Sequence, residues 1–235
     1  MGEATLELLE EFPAYGELLW ERVSSLAQIR GDVLEMGCGI GSISRMILRS
    51  PQVRSLDAAD IEPAYLSRVT QELRDPRLRT LCSAAEDFEP CADSYDLIVS
   101  INVLEHVRDD LAALRAFARA LRPAGECLLR VPAHPWLFSS LDAGLSHYRR
   151  YTRRGLEGLA SRAGLTVRSL SYFNPLGALG WWINGKLLRR PSLPRGQVAA
   201  YSRFGIKLSR LLDRVNPFPL GISLVGSFVR SPLKV

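Results

Sequence analysis

The chain has 235 residues, 47% of them hydrophobic, enough to bury a full core, so disorder is not the default and one large domain, or one domain with an added subdomain, is expected. Its formal charge of +5 conceals a division: Ser146 to Val235 carries 16 Lys and Arg against only Glu157 and Asp213, a net of +14, whereas residues 1–145 carry a net of −9. Four cysteines with no CxxC pair argue against a zinc site or a disulfide framework, no basic stretch leads into an apolar signal, and no apolar run reaches membrane-spanning length, so a cytoplasmic protein with reduced thiols is expected.

In chain order, an acidic amphipathic start bearing Phe12, Tyr15 and Trp20 reads as a helical cap over residues 1–30. Apolar runs rich in Val, Ile and Leu then alternate with segments of helical period, the pattern of an α/β fold with a mostly parallel sheet flanked by helices. Strands are predicted at Asp32 to Met36, Arg54 to Ala59, Arg79 to Ser83, Asp96 to Ile101, Glu126 to Val131 and Thr166 to Leu170. Ile40, Ile43 and Ile47 mark one face of a helix beginning near Gly41, and Leu111, Leu114, Ala118 and Leu121 mark another, ended by Pro123 and Gly125. Thr152 is the predicted N-cap of a helix with a core face of Leu156, Leu159, Ala160 and Ala163 and a stop at Gly164. The sheet pattern occupies residues 31–171 and breaks over 172–222, where YFNPLGALGWWINGKLLRR precedes a basic amphipathic helix at Gln197 to Val215. It resumes within residues 223–235 as a last strand at Ser223 to Val229, so an α-helical insertion before that strand is expected rather than a separate domain.

The first strand runs into VLEMGCGIG, where Gly37, Gly39 and Gly41 take alternate positions at the turn into a helix. Missing side chains let the backbone turn tightly and let a ligand approach its N–H groups. The spacing is GxGxG rather than GxGxxG, and Glu35 stands two residues before the first glycine. With AADIEP ending at the second strand, YDLIVSINVLEHV at Tyr95 to Val107 and LRPAGECLLRVP at the fifth strand, residues Val33 to Pro132 resemble the class I S-adenosylmethionine (SAM) dependent methyltransferases, of Rossmann-like fold. That resemblance implies SAM as cofactor and a small-molecule acceptor. It implies that Glu35, Gly37, Cys38, Gly39, Gly41, Asp60, Ile61 and Asn102 surround SAM, with Asp60 on the ribose hydroxyls and Glu35 and the turn at Asn102 at the methionine end. Relatives often place an Asp after the third strand for adenine; here SAAED has Ala84 there, which leaves adenine to Glu86 or the backbone near Ala85.

Methyl transfer from a sulfonium is an in-line displacement that needs alignment, exclusion of water and, for a protonated nucleophile, a base. Of the three histidines, His147 is the candidate base, His106 in VLEHV lies beside the cofactor as a second catalytic candidate or a structural residue of that turn, and His134 lies past the fifth strand on the acceptor side. Tyr15, Tyr148 and Arg149 complete the candidate acceptor residues, and no metal ligand is assigned. Arg149, Arg150, Arg153 and Arg154 crowd a helix start, where the macrodipole disfavours cations, so an internal acid such as Asp142, an anionic acceptor or water must compensate. Oxygen is the expected acceptor atom. Basic residues scattered without stacking aromatics disfavour nucleic acid, whereas Trp181, Trp182 and the leucines among Lys186, Arg189 and Arg190 fit either a lid or a surface meeting lipid or a lipid-linked acceptor. Two rivals stand beside this reading: a nicotinamide-dependent oxidoreductase, and a SAM-binding protein that does not methylate, regulatory or cyclase-like. The sequence leaves the oligomeric state open.

Overall fold

A computed structural model describes residues 11–215 and 219–231 of the chain. Helix α1, Pro13–Ser24, opens with a proline at its first turn, where the missing N–H costs nothing, and is the described part of the expected cap. Then follow β1 (Gly31–Met36), α2 (Ser42–Leu48), β2 (Val53–Asp60), α3 (Pro63–Glu72), β3 (Leu78–Cys82) and β4 (Tyr95–Ile101). After a short 3-10 turn at Leu104–His106 come α4 (Asp110–Ala120), β5 (Leu121–Pro132), α5 (Ser140–Gly144), α6 (Arg153–Arg162) and β6 (Leu165–Phe173). The insertion holds α7 (Pro175–Trp181), a π-helical turn at Trp182–Leu187, α8 (Arg195–Ala200), a second π-helical turn at Tyr201–Gly205 and α9 (Ile206–Val215), before β7 (Ser223–Arg230).

The strands form one sheet in the order β3-β2-β1-β4-β5-β7-β6, parallel except for β7, which runs antiparallel to both neighbours. Continuous apolar runs suit strands covered on both faces. Leu34, Met36, Ile98 and Leu129 pack under α4 and α6 with Leu114, Phe117, Leu156 and Ala160, while Val33, Leu56, Val99 and Leu128 pack on the other face with Leu18, Leu19, Val23 and Ile47. Phe117 is wholly buried; truncating such a side chain to Ala typically costs about 3–5 kcal/mol.

Capping fixes the helices locally. Thr152 accepts from the Gly155 N–H over 2.9 Å at the start of α6, as the sequence predicts, and Gly164 follows the helix with φ of +86°. Asn174, itself left-handed, accepts from the Gly177 N–H over 2.7 Å at the start of α7. The insertion leans on α1: the Tyr201 and Tyr15 rings meet edge-on at 6.2 Å, and Arg210 pairs with Glu21 at 2.7 Å.

Several boundaries differ from the sequence expectation. Leu121 opens β5 instead of closing α4, because its backbone pairs with Tyr95 of β4. Helices α3 and α5 are additional: the first starts on Pro63, the second on a capping box of Ser139 and Asp142. Strand β6 continues to Phe173, beyond residue 171, through pairing with Ser223. The helix predicted at Gln197 to Val215 begins at Arg195 and contains the second π-helical turn. Residues 1–10 of the expected cap and 232–235 of the final segment lie outside the described residues.

Candidate active site

The carboxyl ends of β1, β2, β4 and β5 converge on one edge, where parallel α/β sheets bind ligands. The turn after β1 carries three glycines of positive φ: Gly37 at 82°, Gly39 at 51° and Gly41 at 83°. A side chain at Gly37 would strike Val103 at 2.3 Å, so this turn sits directly on the turn after β4. Buried Cys38 takes its place through an N–H bond to the Ala59 carbonyl at 2.9 Å. Asp60, at the end of β2, accepts from the Gly39 N–H over 2.8 Å and from the Glu62 N–H over 3.1 Å. Ile61 beside it is 70% exposed.

Glu35 is buried and accepts from the Ser44 hydroxyl. Burial pushes its carboxyl up to about 8, with the Asp60 charge adding to the rise and Ser44 opposing it. Ala85 is buried and Glu86 partly exposed in the loop after β3. Asn102, held at φ of 56° just past β4, bonds its N–H to the Arg130 carbonyl at 3.0 Å and accepts from the Arg130 guanidinium through its side chain.

Beyond β4, the Glu105, His106 and His147 side chains bring three ligand-type atoms within 4.8 Å of one another, the one such grouping of metal-ligand type among the described residues. The His106 and His147 rings lie edge-on at 4.7 Å. Neither Glu105 oxygen nor Nε2 of His106 has a hydrogen-bond partner. Burial raises the Glu105 carboxyl, and burial above all, with a contribution from the His147 neighbour, lowers His106 to about 4.

His147 itself is held from behind. Its Nδ1 is 3.0 Å from Oδ1 of Asp142, a fully buried carboxylate that also accepts from Arg150 Nε at 2.7 Å, the Ser139 N–H at 3.0 Å and Trp181 Nε1 at 3.0 Å. Burial alone would raise the Asp142 carboxyl; the bonds from His147 and Arg150 hold it below the ordinary value. A carboxylate only accepts, so the neutral His147 ring carries its proton on Nδ1 and leaves Nε2 free to take one.

The remaining candidates are distributed around this centre. His134, left-handed at φ of 62°, stacks on Tyr172 at 4.8 Å with an interplanar angle of 2°. Tyr148 is half exposed and bonds Arg108, while Arg149 is engaged by Asp110 at 2.8 Å. The crowded arginines are therefore compensated mostly from within: Arg149 by Asp110, Arg150 by Asp142 and Arg153 by Glu157. Tyr15 reaches the same edge from α1 and accepts from Arg130 at 2.9 Å. Arg130 and Glu105 are site residues that the sequence reading did not single out; a charge inside the apolar run CLLRVP was the available signal for the first.

The sequence over residues 9–170 matches the family described as a methyltransferase domain. A ubiquinone biosynthesis O-methyltransferase of Marinobacter nauticus is 30% identical over 175 residues, spanning 66% of this chain and 72% of that protein. A ubiquinone biosynthesis O-methyltransferase of Pseudomonas savastanoi is 28% identical over 161 residues, 61% of this chain and 69% of that protein. Among solved structures, an S-adenosylmethionine dependent methyltransferase from Mesorhizobium loti superposes with a TM-score of 0.68 at 16% identity, covering 92% of this chain and all of that one. The [4+2]-cyclase SpnF superposes with a TM-score of 0.63 at 15% identity, covering 91% of this chain and 80% of that one.

Proposed function

The chain belongs to the methyltransferase-domain family matched over residues 9–170 and is a SAM-dependent methyltransferase, and from that premise we propose that it methylates an oxygen of a small-molecule acceptor with His147 as base. The cradle fits SAM: left-handed Gly37, Gly39 and Gly41 let the turn fold tightly against Val103 and Val69 with its backbone at the ligand edge of the sheet, and Asp60 offers a carboxylate beside it. Gly37, Gly39 and Gly41 would border the cofactor with Cys38, Asp60 would take the ribose hydroxyls, Ile61 would cover adenine with Ala85 and Glu86 beside it, and Glu35 and Asn102 would serve the methionine end. Bound SAM supplies an activated methyl group on a sulfonium. The protein's share is to orient the acceptor, exclude water and remove a proton. His147 Nε2, left basic by the Asp142 bond to Nδ1, takes the proton of the acceptor hydroxyl as the oxygen attacks. Asp142 stabilises the imidazolium that results, and His106 borders it. His134, Tyr148 and Arg149 flank the acceptor.

The Asp142–His147 pair carries this reading, because a proton acceptor with a fixed tautomer serves a hydroxyl nucleophile. The similarity to O-methyltransferases supports oxygen as the acceptor atom. Incubation with SAM and a panel of phenols and catechols, read by mass spectrometry, is expected to give a methyl ether. SAM binding without any methylated product would favour the cyclase-like or regulatory alternative instead.

The insertion supports a further element of the reading, contact with an anionic membrane surface. Leu179, Trp182, Leu187 and Leu188 are exposed next to Lys186, Arg189 and Arg190. Phe204, Leu208 and Leu211 form an exposed stripe at helical spacing, flanked by Arg203, Lys207 and Arg210. No helix among the described residues is long and apolar enough to cross a membrane. Co-sedimentation with phosphatidylglycerol vesicles, lost in a Trp182→Ser, Leu208→Ser, Leu211→Ser variant, is the expected result; equal sedimentation of both proteins would remove this element.

A further inference from the structure

Arg130 lies near the carboxyl end of β5, in register with Ile101 of β4 and Val225 of β7, and only 6% of it is exposed. Its guanidinium donates to two neutral oxygens, Oδ1 of Asn102 and the Tyr15 hydroxyl, the latter at 2.9 Å. Its Nε–H finds no partner, and among the described residues its side chain bonds only Asn102 and Tyr15, with no carboxylate at ion-pair distance. Glu105 is near enough to feel the charge but makes no hydrogen bond to it. Arginine is rarely buried without an acid, because its charge loses water and gains nothing of opposite sign. Asn102 and Tyr15 satisfy geometry, and among the described residues no acid pairs with the charge.

The position says what compensates it. The glycine turn and Asp60 lie on β1 and β2, whereas Arg130 stands on β5, two strands beyond β1, between Asn102, which it bonds at the end of β4, and Glu105, which feels its charge. Strands are spaced about 4.8 Å apart, so Arg130 lies roughly 10 Å across the sheet from β1. The phenolic oxygen that accepts from Arg130 keeps its own O–H to donate. Tyr15 is partly exposed at this edge.

We propose that Arg130, with the hydroxyl of Tyr15, binds a carboxylate of the acceptor, so that the acceptor is a hydroxy acid whose anion docks on β5 while its hydroxyl faces His147. The inference rests on the methyl-transfer reading and narrows its substrate class. A carboxylate adds the missing charge and two acceptor oxygens, which a planar guanidinium binds more strongly than neutral groups.

The test uses the full chain saturated with S-adenosylhomocysteine. Thermal unfolding is followed with a panel of hydroxylated aromatic and aliphatic carboxylates, each paired with its neutral amide. At least one carboxylate is expected to stabilise the wild type tenfold or more below the concentration its amide needs; Arg130→Met abolishes that preference and Arg130→Lys reduces it. A separate titration compares S-adenosylhomocysteine with 5′-methylthioadenosine, which lacks the amino-acid end. In Arg130→Met that discrimination is expected to fall no more than about tenfold, the worth of the one lost bond to Asn102; collapse beyond that would assign the anion to the cofactor and overturn the proposal. Carboxylates that bind no better than amides, or a preference that survives Arg130→Met, would overturn it equally. Failure of the wild type to bind S-adenosylhomocysteine at all would instead defeat the methyl-transfer reading. If Arg130→Met does not fold, the Arg130→Lys comparison decides by the same criteria.

Discussion

The Gly39 N–H donates to Oδ2 of Asp60 across 2.8 Å, which ties the glycine turn after β1 to the acid at the end of β2. The other carboxylate oxygen accepts from the Glu62 N–H, so the acid is oriented from both sides. Preorganisation of this kind lowers the ordering cost of binding. Asp60→Ala removes both the proposed ribose acceptor and the tether on the turn. Titration calorimetry is expected to show SAM affinity reduced at least about tenfold, equivalent to about 1.4 kcal/mol; unchanged affinity would remove Asp60 from the cofactor site.

Glu35 predicts an unusual dependence of stability on pH. Its carboxyl ionises near 4.5 when unfolded and at about 8 when folded, so between those values the folded state keeps a proton that the unfolded state has lost. Stability is therefore eroded as pH rises from about 4.5 towards 8, by up to about 1.4 kcal/mol per pH unit. Glu35→Gln keeps an acceptor for Ser44 and removes the erosion. Denaturant unfolding should find the variant more stable by roughly 2–4 kcal/mol at pH 7.5 and nearly equal at pH 4. Parallel pH profiles for the two proteins would contradict the buried protonated acid.

His147→Gln should lower turnover by a factor of about 10² or more while leaving SAM affinity within about twofold, since general-base catalysis typically contributes 10² to 10⁴. Retained turnover would mean that alignment alone suffices.

Asp142→Asn acts through two partners. It leaves Arg150 buried without its acid, which typically costs about 3–5 kcal/mol, and it releases the His147 tautomer. The Asp142 contribution is present above the ordinary carboxylate range and lost as pH falls through its depressed folded value, so the stability gap between wild type and variant should shrink in acid. A gap constant down to pH 3 would show that the pairing carries no charge.

Chelation tests the grouping of Glu105, His106 and His147. Displacement from a sulfonium needs no Lewis acid, and a carboxyl raised by burial is a poor cation ligand. Dialysis against EDTA is expected to leave methyl transfer within about twofold. Activity lost to EDTA and restored by a divalent cation would turn the trio into a metal centre.

Much of this architecture is legible in residue pattern alone. Continuous apolar runs such as YDLIVSI mark strands covered on both faces, and Thr152 with Gly164 brackets α6, because these signals are local. Leu121 fits the helical period of α4 equally well, and only pairing with Tyr95 decides for strand. Long-range partnership is what the sequence hides. Arg130 meets Tyr15 across 115 positions, and the Trp181 indole meets Asp142 across 39. The arginines of SHYRRYTRR read as a search for an anion, and the nearby acids Asp110, Asp142 and Glu157 answer most of it.

The placement of β7 between β5 and β6 sets an order of events during synthesis. Strand β6 has no neighbour in the sheet other than β7, which is made only after the whole helical insertion. On the ribosome, the strands β1 to β5 can assemble as they emerge, but β6 must wait with its pairing edge open until Ser223–Arg230 leaves the exit tunnel. The interval in which that edge is exposed is the time taken to translate the insertion.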